Sequence, residues 1–287
     1  MSRKWALVAT VAALALGQTP AQALPFFGKK ADAKPAETTT AKSVDGKPAT
    51  AAPAPAPRRK ASPQERATAA RLDPLAQAAF WAREQELDAT DTEAGVGLAQ
   101  ALRAMGRNEE AAQAIGMILL THPDNVPALL EAARAQIARG QGFYAVEPAK
   151  RAQALSPRDW RPVALLAVAY EQTKRDAEAL AAHRQAVAMA PAEPGPLSNL
   201  AMYQATHGEP AEAERLLRRA AALPGATATV RQNLVLVLGL QGRMAEAEQL
   251  ARQDLPPEMV ERNLAYLRAA SSPAPAGRSW DALRATP

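Results

Sequence analysis

The sequence contains no cysteine, which excludes disulfides, thiol chemistry, cysteine-ligated zinc and a lipid-anchored cysteine. Aromatic residues make up only 4%, and runs of β-branched residues are short, so there is little from which to build long strands. Only three histidines occur, His122, His183 and His207. None has a partner at metal-ligand spacing, and none stands with a fixed aspartate and a nucleophile. There is no P-loop and no nucleophile elbow, and Gly95-x-Gly97 alone is not a dinucleotide-binding motif. A catalytic role, a metal site and a cofactor are therefore not expected.

Alanine and leucine dominate instead, and both lose little freedom in a helix. Many of the 24 prolines crowd into residues 25–63 and 273–287; the others recur at intervals that read as turns between helices. The net charge of +5 is unevenly placed. Residues 24–60 carry eight Lys or Arg against Asp32, Glu37 and Asp45, whereas the chain from residue 61 on has 24 basic and 26 acidic residues. A nucleic-acid partner needs clustered positive charge on the folded surface, and none is expected here.

Residues 1–23 read as a secretory signal peptide. Arg3 and Lys4 precede an apolar stretch, Trp5–Leu16, and the segment ends in Ala21-Gln22-Ala23, the small-x-small pattern for cleavage before Leu24. That stretch has about twelve residues against the roughly 20 needed to cross a bilayer, so no transmembrane helix is expected after cleavage. Residues 24–62 form an Ala/Pro/Lys-rich linker expected to be disordered; its Pro53-Ala54-Pro55-Ala56-Pro57 run favours extended polyproline II. The Arg58-Arg59-Lys60 cluster that follows could make a weak contact with an anionic envelope surface.

The strongest pattern is a period of 34 residues. Pro123, Pro157 and Pro191 keep it, and so do Gly106, Gly140, Lys174, Gly208 and Gly242. Five residues after each member of the second series stands an alanine: Ala111, Ala145, Ala179, Ala213 and Ala247. Such a period signals two short helices per unit. The glycine series marks a tight turn that needs φ > 0, and the alanines mark where two helices approach closely. Ala99, Ala133, Ala167 and Ala201 do the same on the first helix, beside larger Leu98, Leu166, Leu200 and Leu234.

This pattern resembles the tetratricopeptide repeat over residues 92–257, as five units. The first-helix aromatic usual in that family is kept at Tyr170; Leu102, Gln136, Gln204 and Leu238 stand at the equivalent places. The expected fold is an all-α, right-handed solenoid of helical hairpins. Capping helices are expected at 63–91, opened by a Ser62-Pro63-Gln64-Glu65 capping box, and at 258–270. A flexible tail, 271–287, would follow, with Trp280 able to dock.

By analogy with the repeat family, unpacked first-helix positions line a concave groove for a protein partner. In this register they include Gln100, Arg103, Arg134, Glu171, Asn199 and Asn233, with Asn263 repeating the local text in the cap. Amides offer donor and acceptor together, which suits an extended peptide backbone. No lysine follows the pattern on that face, so a chaperone-type clamp for a C-terminal carboxylate is not expected.

FWAREQELDATDTEAGVGLAQALRAMGRNEEA (80–111) and VRQNLVLVLGLQGRMAEAEQLARQDLPPEMVERNLAYL (230–267) resemble the TadD family of Flp (tight-adherence) pilus assembly proteins. That resemblance implies a periplasmic accessory protein supporting pilus export, associated with the outer membrane through a partner such as the secretin. The alternative is a general periplasmic adaptor for envelope or cell-wall proteins. Members are often lipoproteins, and this chain lacks the cysteine for that.

Overall fold

The computed structural model describes residues 59–271. The expected signal peptide with its Ala21, Ala23 and Leu24 cleavage site, the linker up to residue 58, and the tail with Trp280 lie outside the described residues. Those described form helices joined by short turns, with no strand among them. In chain order α1 (Pro63–Ala69) and α2 (Pro74–Leu87) precede five hairpins. The hairpins are α3 (Thr92–Ala104) with α4 (Asn108–Thr121), α5 (Val126–Ala138) with α6 (Gly142–Leu155), and α7 (Trp160–Gln172) with α8 (Asp176–Met189). They continue with α9 (Pro194–Thr206) and α10 (Pro210–Ala221), then α11 (Ala228–Leu240) and α12 (Met244–Ala251), before the closing α13 (Pro257–Ser271).

Each hairpin turns where the 34-residue series places it. Gly106, Gly140, Gly208 and Gly242 adopt φ of 76°, 72°, 90° and 87°, and Lys174 adopts 60° in the third unit. The next residue donates back across the turn in every unit: Arg107 N–H to the Leu102 carbonyl, and likewise Gln141 to Gln136, Arg175 to Tyr170, Glu209 to Gln204 and Arg243 to Leu238, each at 2.9 Å. This is the Schellman closure, which satisfies first-helix carbonyls that would otherwise be orphaned. The first helices of the first three units open on side-chain caps, Asp91 to Ala94 N–H, Asn125 to Ala128 N–H and Asp159 to Arg161 N–H.

A lysine at positive φ costs roughly 1–2 kcal/mol in the left-handed region, partly offset because glycine would gain more freedom on unfolding. Lys174→Gly is therefore expected to stabilise the chain by about 0.5–1 kcal/mol, read as a higher urea midpoint. Lys174→Ala, which keeps the strain, should bring no gain. An unchanged or lower midpoint for the glycine variant would contradict this account of the turn.

The small residues lie at the helix crossings. Ala99, Ala133, Ala167 and Ala201, and the whole Ala111 series, are 0% exposed; in the fifth unit Val235 takes the first-helix position and is also buried. Most successive first helices touch: α3 meets α5, α5 meets α7, α9 meets α11 and α11 meets α13, whereas α7 and α9 share no contact of that extent. Successive second helices share no contact of that extent. With one row of helices drawn together and the other splayed, the stack curves and the first helices line its inner side.

Helices cover both ends of the array. In α13, Val260, Leu264 and Leu267 are buried, and Leu267 covers Gly239, where an added Cβ would stand 2.5 Å from its Cδ1. At the other end the Ser62–Glu65 capping box is formed. The linker, expected to run disordered to residue 62, instead joins the cap at residue 59. The Ala61 N–H donates to both oxygens of buried Glu84 (3.1 and 3.0 Å), Lys60 Nζ meets Asp88 at 2.6 Å, and Arg59 pairs with Glu65. Arg59 and Lys60 thus face carboxylates of their own chain. The Arg59 guanidinium and the Ser62 backbone and hydroxyl hold the Glu65 carboxyl down to about 2.

Candidate functional site

The inner face opens into a pocket of about 630 Å³ at its N-terminal end, between the cap and the first helices of units one and two. Gln100 and Arg103, one turn apart on α3, line it together with Arg134 of α5, Trp81 of α2, Gly97 and Pro127. The turn series sets the register that points Gln100 and Arg103 inward, since Ala99 and Leu102 on the same helix are spent on the core.

Beneath the two arginines lies Glu131, wholly buried on α5. Arg103 Nε donates to its Oε1 at 2.6 Å, and Arg134 Nη1 reaches Oε2 at 3.4 Å. Arg134 pairs with Glu131 at i,i+3 on one helix, while Arg103 comes from the neighbouring unit. Burial lowers the Arg134 guanidinium from its ordinary value; Glu131 opposes this, and Arg103 and Arg161 add like-charge repulsion. Arg161 is itself occupied: its Nε and Nη2 hold Asp159 at 2.7–2.9 Å. At the rim, Glu93 is held by Arg66 at 2.7 Å.

Of the positions read as groove-lining, the structure brings Gln100, Arg103 and Arg134 together and leaves the others outside this pocket. Glu171 turns within its own unit, its Oε1 2.5 Å from Nε2 of buried His183. Asn233 corrects the reading of a repeated exposed amide: it is 3% exposed and donates to Ser198 Oγ at 3.0 Å. Asn199 is half-buried on α9, and Asn263 is half-buried on the capping helix α13. The residues missed were Glu131 and the groove side of Trp81. The Glu131/Arg134 spacing was a usable local signal, but Arg103 joins them only through the stacking of units.

A second surface feature also escaped the sequence. Met117 and Leu120 on α4 and Phe143 and Tyr144 on α6 stand exposed on the second-helix side, beside a cleft containing Gly116 and Pro148. Among the described residues no group of three or more His, Asp or Glu could hold a metal ion, and no helix is long and apolar enough to cross a membrane.

Comparison with known proteins agrees with this architecture. The sequence profile of the tetratricopeptide repeat matches residues 227–255, the fifth hairpin. A thermophilic tetratricopeptide repeat protein of Thermus thermophilus is similar in structure, with a TM-score of 0.56 and 25% identity, over 61% of this chain and 97% of that one. A tetratricopeptide repeat protein of Parabacteroides merdae gives a TM-score of 0.60 at 13% identity, over 72% of this chain and 86% of that one. No curated protein matches the sequence significantly. The fold is thus a tetratricopeptide-type helical solenoid, an architecture suited to protein–protein interaction.

Proposed function

We propose that this chain is a non-catalytic scaffold that holds an extended segment of a partner protein along its inner face. The observation that carries this reading is the open pocket in which Gln100, Arg103 and Arg134, from two successive units, converge. An open groove lined by amide and guanidinium donors fits a peptide that passes through better than an enclosed small molecule.

Its setting is proposed as the periplasm, in support of Flp/Tad-type pilus assembly, with the secretin or another component of that apparatus as partner. This rests on the signal-like N-terminus and on the resemblance of residues 80–111 and 230–267 to the TadD family. A photo-crosslinking residue at Gln100 of the full-length chain, expressed in its own cell, tests both levels. Recovery of a pilus-apparatus protein from the periplasm is the expected result. Recovery of an unrelated envelope protein at the same position would leave the scaffold and overturn the pilus role. No adduct from the groove, with adducts from the second-helix face instead, would overturn the groove.

A further inference from the structure

The two arginines of the pocket are bonded far below their capacity. Each guanidinium has a planar fork of N–H donors. Arg103 spends its Nε on Glu131, and Arg134 makes one long bond to the same carboxylate. Neither has another hydrogen bond to a described residue, and both line the open pocket. Glu131 therefore acts as a brace. Wholly buried itself, it draws two like-charged side chains from adjacent units side by side and leaves their remaining donors facing the groove.

The charges around the pair do not balance. Glu131 compensates one of the two guanidinium charges, Asp159 is taken by Arg161, and Glu93 at the rim shares Arg66 with Glu84 and Asp91 and pairs with neither pocket arginine. The Asn125 side chain is spent capping α5. Within the Arg103–Glu131–Arg134 cluster itself one positive charge is left over, in a partly desolvated setting where the charged form of Arg134 is already disfavoured. A second carboxylate, entering from the groove, would neutralise that cluster and occupy the idle forks in the bidentate geometry that arginine and carboxylate share.

Building on the scaffold reading, we propose that Arg103 and Arg134, braced by Glu131, form a receptor for one aspartate or glutamate side chain within an extended stretch of the partner. Gln100, exposed one turn away on α3, is placed to bond that stretch's backbone, and Val96 and Pro127 offer an apolar wall for a neighbouring residue. One excess charge is too little for a polyphosphate backbone, whose binding needs many neutralised phosphates.

A display library of random ten-residue peptides, fused at both ends so that no terminal carboxylate is offered, is panned on the full chain. The expected outcome is enrichment of peptides with a fixed Asp or Glu. Their affinity should fall tenfold or more when that residue becomes Asn or Gln, and fall equally in Arg134→Gln. That variant keeps the short Arg103–Glu131 bond, so it should retain its helicity. Arg134→Lys, which keeps charge but loses the fork, should bind in between. Enriched peptides without an acidic residue, yet dependent on Gln100, would overturn the acidic receptor and leave the scaffold reading standing. Acidic peptides indifferent to Arg134→Gln would also overturn it. No enrichment at all would overturn both.

Discussion

Glu131→Ala is expected to destabilise the chain by about 3–5 kcal/mol, because removing one partner of a buried ion pair strands the other charges. Glu131 is wholly buried beneath Arg103 and Arg134, and no other described carboxylate pairs with either. The two arginines can turn partly toward the groove and water, which places the cost nearer the lower figure. Glu131→Gln should lose less, about 1.5–3 kcal/mol, since the amide oxygen still accepts one bond but carries no charge. The informative comparison is the apolar replacement of all three, Arg103→Leu with Glu131→Met and Arg134→Leu. Removing a buried ionic cluster entirely is often neutral or stabilising, so this variant should unfold in urea at or above the wild-type midpoint. It should also have lost the acidic peptide. Such a result would separate what the cluster does for binding from what it does for folding. A triple variant as unstable as Glu131→Ala would mean that the cluster serves stability.

How much of this could be read beforehand divides along the range of the interactions. The turn residues were legible because the Schellman closure is local: a positive φ at Gly106 and its counterparts, and a bond closing from Arg107 to Leu102, lie within six residues of sequence. The crossing alanines were legible because the same approach recurs in each unit, so one constraint is written several times. The pocket was legible only in part. Inward positions follow from the helical period, which found Gln100, Arg103 and Arg134. What a side chain meets there depends on the next unit. Asn233 looked like a second copy of Asn199, but Ser198 in the preceding unit stands where it accepts the Asn233 amide. Glu171 sat at an inward register too, yet His183, folded back in the same hairpin, takes its carboxylate. Periodicity locates a position, and a non-repeating neighbour decides whether it is free.

The same one-dimensional logic predicts where a lesion at the N-terminal cap stops. Trp81 is 4% exposed and lies against the α3 backbone at Gly97, where a Cβ would stand 2.6 Å from the indole Cε2. Arg66 sits 5.9 Å from the ring centroid while holding Glu84 and Asp91, so the indole and the ion pairs fasten α1 and α2 to the first hairpin together. Trp81→Ala removes the largest side chain from that joint and is expected to cost about 3–5 kcal/mol of local stability. Because each unit of a solenoid contacts chiefly its neighbours, the loss should stay local. Hydrogen exchange should quicken across α1, α2 and α3, while α9 to α12 keep their protection. Peptide affinity should fall as well, since Trp81 forms one wall of the pocket. Gly97→Ala, which forces a methyl group into the indole, should cost about 1–3 kcal/mol by itself. Combined with Trp81→Ala it should cost almost nothing further, because the new methyl enters the space the indole has left, and contacting sites of this kind are not additive. Equal loss of protection along the whole array, or simple addition of the two effects, would refute the indole-on-glycine joint as the latch of the cap.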